Sequence, residues 1–587
     1  MKKRLLALIL LLMCFGCSKV TTKKSGTLAN TTSKTSTITT SIKTEVVSKT
    51  KTTTSKTTNA SNSTKDEIKN IKEEFDLTGV NYKTPTKKFT LHSLIANHAV
   101  FQAEKPIEIF GKAEEGTIIL VKLTKDSDKS VSYKGFTVVN SSNEWSISLE
   151  ALEASFDSYT LTISDTVNES YITDCLIGEV WVASGQSNMG IRVKEMDEGS
   201  EVMKNAQESY IRIFYQKDAG NADLYPIDPA YDVKEGVWKV ADNGSNIATC
   251  SAVAYTFAYE LFYQFFAANK EVPVAIINTQ KGGSSIHSWL PRESVLKTDP
   301  IKNFVLTKGY SLDQTEWNTF GSKNYNQVSA LYNQRVAPLM KTNIKGVIWY
   351  QGENDPLYDP TIYTVRELMD SWSKGFNKND ELLYFALIQL HPYDGTDYRL
   401  GPSTKNYTSL GYANHRKAQF EIALDEKYKD HVQLVPIYDV DLHWDVPKTQ
   451  FSSQSVIHPV VKKPVGERTA KIMYSFCYAK NNRYLAPIYE SHTYDDNSIT
   501  ITLKNTGKGL CTFKDSDKGV TTVEVILTSG KRVNANCVIL NPTQIIITGI
   551  DTSTIQAFSY SNFSRNEESN LASSEKIPVI PFVVDLK

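Results

Sequence analysis

Between residues 174 and 482 the chain alternates short apolar runs with longer segments whose apolar residues fall on one side, the pattern of a mainly parallel sheet with connecting helices. Five runs read as buried strands: Cys175–Ala183, Val272–Asn278, Gly346–Tyr350, Leu383–Leu390 and Val432–Ile437. Ser251 is placed to cap a helix carrying Val253, Phe257, Leu261 and Phe265 at four-residue spacing, a single stripe for the core. A further helix is predicted from Val465 to about Ala479. Outside these limits the period changes. Residues 87–173 hold short β-rich runs such as Ile107–Phe110, broken at Glu114-Glu115-Gly116, and residues 483–587 return to β-runs at Ser498–Leu503, Thr522–Leu527 and Gln544–Ile550. The pattern predicts an α/β domain flanked by N- and C-terminal β domains.

The first 75 residues have no such period. Met1-Lys2-Lys3-Arg4, the apolar run Leu5–Met13 and Gly16-Cys17 read as a signal peptide over residues 1–17, whose end resembles a lipobox with Cys17 as the lipidated residue. Plain secretion is the alternative. Residues 18–75, rich in Ser, Thr and Lys, lack the apolar spacing needed to offset ordering entropy and read as a tether. The expected location is the cell surface, with the membrane touched only through the lipid.

Charge and cysteine usage narrow the function. With 65 basic and 65 acidic residues there is no net basic field for nucleic acid. Cys175, Cys250, Cys477, Cys511 and Cys537 are widely spaced, so neither a zinc site nor a disulfide framework is predicted.

Four segments carry chemistry. The first apolar run breaks at Gly185-Gln186-Ser187-Asn188, leaving Ser187 on the sheet rim as either a nucleophile or an ordinary turn serine. After Val272–Asn278 comes Gln280-Lys281-Gly282-Gly283, where a glycine amide can donate to an oxyanion. After Gly346–Tyr350 comes Gln351-Gly352-Glu353-Asn354: Asn354 offers a second oxyanion donor, and Gln351 and Glu353 can orient the serine or a sugar. His458-Pro459, ahead of the last helix, supplies a general base. Each segment alone also reads as a turn or a structural residue; the set of four favours catalysis.

Serine, glycine, asparagine and histidine in this order resemble the four blocks of SGNH hydrolases. Gly185–Met189, Gly346–Glu353 and His458–Arg468 are similar to sialate O-acetylesterases and related carbohydrate acetylesterases, a resemblance supported by Asn97–Gln102, Leu331–Asn333 and Pro581-Phe582. It implies a flavodoxin-like SGNH sheet with helices on both faces, Ser187 as nucleophile, His458 as base, and the Ser187 and Gly283 amides with the Asn354 side chain as oxyanion donors. It also implies an O-acetylated glycan or sialic acid as substrate, and no cofactor. The family aspartate two or three residues before the histidine is replaced here by Ser455 and Val456, so the third member is sought among Asp439, Asp441, Asp445 and Glu353, with Asp441 preferred and a Ser187–His458 dyad equally open. His443-Trp444 can line the cleft, and Arg416 and Gln419 read as structural support. Alternatives are an acetylxylan esterase, an inactive glycan-binding lipoprotein and a lipid or thioester hydrolase.

Overall fold

The computed structural model describes residues 74–217, 224–313, 324–356, 358–377, 381–394, 410–441, 457–513 and 519–587. The signal peptide and Cys17, nearly all of the tether, and His443, Trp444, Asp445, Ser455 and Val456 lie outside the described residues.

The central sheet is built on β1, Glu169–Gly185. Its first residues alternate in exposure; from Cys175 onward every side chain is buried, as a strand covered on both faces requires. The other strands are β2 (Glu208–Gln216), β3 (Gly236–Ala241), β4 (Val274–Gln280), β5 (Gly346–Tyr350), β6 (Tyr384–Ile388) and β7 (Val432–Val435). They lie in the order β3-β2-β4-β1-β5-β6-β7, with β3 antiparallel to β2 and every other pair parallel. The five strands expected from the pattern are all present. β2 and β3 were not expected, because charged and polar residues interrupt Glu208-Ser-Tyr-Ile-Arg-Ile-Phe-Tyr-Gln216 and hide its apolar half. The flavodoxin order is also not the one found: there the second strand lies beside the first, whereas here β4 fills that place. β1 is consequently flanked by β4 and β5, and three motif-bearing loops leave the sheet side by side.

Helix α1 (Ala252–Ala267) is capped as expected, Ala254 N–H donating to Ser251 Oγ at 3.1 Å, and its stripe is buried. The remaining helices that bear on the site are α2 (Tyr358–Phe376), α3 (Gly411–Leu424) and α4 (Lys463–Met473). α4 packs closely on α1 because Gly466 has no side chain: a Cβ there would lie 2.0 Å from Thr256 Oγ1 and 2.6 Å from the Val253 carbonyl oxygen. That contact fixes the start of α4, and with it the segment bearing His458. Beneath the rim, Trp289, Trp349 and Trp372 are fully buried and meet edge to face, with centroids 6.0 and 5.8 Å apart.

The N-terminal β region contains the antiparallel set Thr90–Leu91, Ile107–Lys112 and Glu144–Leu149, and the strands Ile118–Lys125, Ser132–Val138 and Ser155–Ser164. The last of these pairs with the first half of β1, and Val100–Gln102 runs parallel to Leu176–Gly178. The expected boundary between residues 173 and 174 thus falls inside one continuous strand. The C-terminal region forms two four-stranded antiparallel sheets that include Ser498–Lys504, Val523–Leu527 and Gln544–Thr548, close to the runs expected there.

Candidate active site

β1 ends at Gly185 with φ of 137°, where a Cβ would sit 2.1 Å from the Tyr350 carbonyl oxygen of β5, so only glycine permits this turn. Gln186 N–H donates to the same carbonyl at 3.0 Å, and the chain enters a helical turn, Ser187–Gly190. Asn188 and Met189 are buried while Ser187 is half-buried at the rim. His458 Nε2 lies 2.8 Å from Ser187 Oγ. Burial first, and then the positive charge of Lys462, push the imidazole down to about 4. An uncharged ring at this distance can accept the Ser187 hydroxyl proton at Nε2, as a base beside a nucleophile must.

The loops after β4 and β5 converge on this pair. Lys281 N–H donates to the Gly185 carbonyl at 3.1 Å, and a Cβ on Gly282 would stand 3.6 Å from Ser187 Cβ, so the diglycine turn lies against the serine. Gly282 and Gly283 are both exposed, with Gly283 at φ of 71°. Asn326 holds this turn from behind, donating to the Gly283 carbonyl at 3.0 Å and accepting from Ser285 N–H at 2.7 Å. From β5, Asn354 Nδ2 donates to the Gly283 carbonyl at 3.3 Å, and its backbone N–H donates to Gln186 Oε1 at 3.3 Å. Ser187, Gly283, Asn354 and His458 thus lie on segments that converge at one end of the sheet. An oxyanion donor in such a place contributes roughly 2.7–4 kcal/mol to an acyl-transfer transition state.

Two expected site residues point elsewhere. Gln351 is 1 % exposed and donates to Ser284 O at 3.2 Å and Asp355 Oδ2 at 2.6 Å, while the buried Glu353 accepts from Asn188 Nδ2. Both side chains turn inward, Gln351 onto its own loop and Ser284, and Glu353 onto the residue that follows Ser187. Of the carboxylates considered as third member, Asp439 is held by both oxygens against Arg468, at 2.7 and 2.6 Å. Asp441 is exposed at the edge of the described residues. Arg416 is structural as expected, donating from α3 to the Leu390 carbonyl at 2.9 Å and to Phe563 of the C-terminal region.

Sequence reasoning gave no role to Asp355, which is buried and accepts from Ser285 Oγ (2.7 Å), Ile286 N–H (2.8 Å) and Gln351 Nε2 (2.6 Å), with Lys308 Nζ at 3.0 Å. It fastens the diglycine loop to the asparagine loop. A carboxylate directly after Asn354 and before Pro356 was the available signal, but it reads equally as a turn residue. Among the described residues, no group of three or more His, Cys, Asp or Glu is placed to hold a metal ion.

Residues 177–391 match a family model described as a carbohydrate esterase, sialic acid-specific acetylesterase. The chain is 26 % identical over 352 residues to the sialate O-acetylesterase of Mus musculus, covering 53 % of this chain and 62 % of that protein. Against the sialate O-acetylesterase of Homo sapiens it is 25 % identical over 330 residues, covering 51 % and 57 %. It therefore spans less than two thirds of the length of these relatives. The crystal structure of a carbohydrate acetylesterase from Xanthomonas citri matches with a TM-score of 0.68 at 23 % identity, covering 85 % of this chain and 100 % of that one. The resemblance read from the motifs is borne out, and the fold is of the α/β esterase type.

Proposed function

We propose that the chain is a carbohydrate O-acetylesterase working through a serine, most closely a sialate O-acetylesterase. Ser187 Oγ attacks the acetyl carbonyl while His458 takes its proton; the Ser187 and Gly283 amides and the Asn354 side chain receive the negative charge. His458 then gives that proton to the departing sugar oxygen, leaving Ser187 acetylated; a water deprotonated by the same imidazole attacks this ester, releasing acetate and returning the proton to Ser187 Oγ. The observation that carries this reading is the 2.8 Å approach of His458 Nε2 to Ser187 Oγ beside the diglycine and asparagine loops. With Asp439 committed to Arg468 and Glu353 to Asn188, the acid proposed for the imidazole is Asp441, with Asp445, outside the described residues, and a Ser187–His458 dyad as the other readings. The leader and Ser/Thr/Lys tether support an exported enzyme lipidated at Cys17.

The names of the mouse and human relatives support O-acetylated sialic acid as substrate, and acetylated xylan is the alternative reading. Acetate release from 9-O-acetylated sialic acid is expected to exceed that from acetylated xylan at equal acetyl content. The reverse ranking moves the assignment to a plant-polysaccharide esterase, and release from neither moves it to a glycan-binding protein.

The imidazole fixes the pH dependence. A base must be uncharged to act, so kcat/KM is expected to rise with pH through about 4 and to level off well below the ordinary imidazole range near 6.5. An acid limb centred near 6.5 would contradict an uncharged, partly buried base.

A further inference from the structure

Asn188, directly after Ser187, is fully buried and bonded to three residues of two other segments. Its Nδ2 donates to the Ile457 carbonyl at 2.9 Å and to Glu353 Oε1, and its Oδ1 accepts from Lys462 Nζ at 2.7 Å. Ile457 and Lys462 bracket His458 in the sequence, so one amide clasps both ends of the segment that brings the imidazole to Ser187. The amide is turned with its N–H groups towards a carboxylate and its oxygen towards an ammonium, the orientation that suits a negative Glu353 and a positive Lys462. Lys462 is 1 % exposed, and its Nζ also lies 5.4 Å over the Tyr350 ring.

We propose, on the reading of the chain as a serine esterase, that Lys462 is a positioning residue for that reaction: through Asn188 it fixes His458 on Ser187. The groups facing that ammonium are Glu353 and Tyr350 from β5 and its loop, Asn188 from the loop after β1, and His458 from its own segment. Asp355 and Tyr412 face Glu353 in turn. The adjacent Lys463 is turned outward to Glu198, at 2.7 Å, with Glu467 beside it. Burial works against both members of the pair, pushing Glu353 up and Lys462 down, and the opposite charge of each offsets part of that effect. After burial itself, the Lys462 charge is what holds His458 below its ordinary range. Losing it both loosens the clasp and raises the imidazole's affinity for a proton, whereas a merely structural lysine would do only the first.

The test follows hydrolysis of p-nitrophenyl acetate against pH for the wild type, Lys462→Met, Lys462→Arg and the double variant Lys462→Met/Glu353→Gln, each checked for folding by thermal melting. The double variant leaves no lone buried carboxylate, so it keeps the test open where the single Met variant fails to fold. Expected for the Met variants are a kcat lowered by about tenfold or more, KM within about twofold, and an acid limb moved up by roughly one pH unit; Lys462→Arg returns the limb towards the wild type. A folded charge-deleted variant with the wild-type limb and kcat overturns the proposal and leaves the esterase reading intact. No hydrolysis by the wild type overturns that reading, and the proposal with it.

Discussion

Ser187→Ala is expected to lower acetate release by roughly 10⁴-fold or more, since removing the nucleophile leaves only what the oxyanion donors and binding supply. The side chain is half-buried, and its Oγ has His458 Nε2 as partner at 2.8 Å, so the substitution removes one oxygen without opening the core. Thermal stability should change little, which separates loss of chemistry from loss of fold. The measurement is acetate release from 9-O-acetylated sialic acid, with labelling of the wild type by a fluorophosphonate as the parallel readout. A variant that retains a tenth of the activity, or a wild type whose labelled residue is not Ser187, removes Ser187 from the mechanism.

Asp355→Asn should act on both fold and chemistry. The carboxylate receives three hydrogen bonds and the Lys308 ammonium in a site where it is 2 % exposed. An amide of the same shape turns an N–H against groups that themselves donate, and leaves Lys308 without its charge partner. Lys308 is partly exposed, so the main cost is that of buried donors left without an acceptor, about 1–3 kcal/mol. Because the same carboxylate ties the Gly283 loop to the Asn354 loop, kcat should fall by about 10²-fold, the effect of losing one oxyanion donor. Urea unfolding and kcat on the same preparation check both, and near-wild-type values for stability and kcat would show that the two loops hold their places without this tie.

How much of this the amino-acid pattern carries depends on the range of the interactions. Gly346–Tyr350 was legible to the residue because it is apolar throughout and ends in a glycine-containing loop. β2 was not, because Arg212 interrupts its apolar run; that arginine is itself buried and held by Asp174 at 3.0 Å, a tertiary solution no local pattern displays. Ser187, Gly283, Asn354 and His458 were legible as a set because each sits at a strand end or before a helix. The Asn188, Glu353 and Lys462 network was not: its bonds join residues 165 and 274 positions apart, and each residue taken alone is an ordinary member of a motif. Gln351 and Glu353 could be read as orienting either the serine or a sugar, because a polar residue at a rim reads the same whether it turns outward or inward; in the structure both turn inward.

β1 is one uninterrupted strand from Glu169, paired in the N-terminal β region, to Gly185, the residue two before Ser187. Appended modules usually meet a catalytic domain across a linker and swing on it. Here there is no linker to swing on. The N-terminal β region is therefore held at a set distance and angle from Ser187, and it cannot be pared away without cutting the beam on which the serine is mounted.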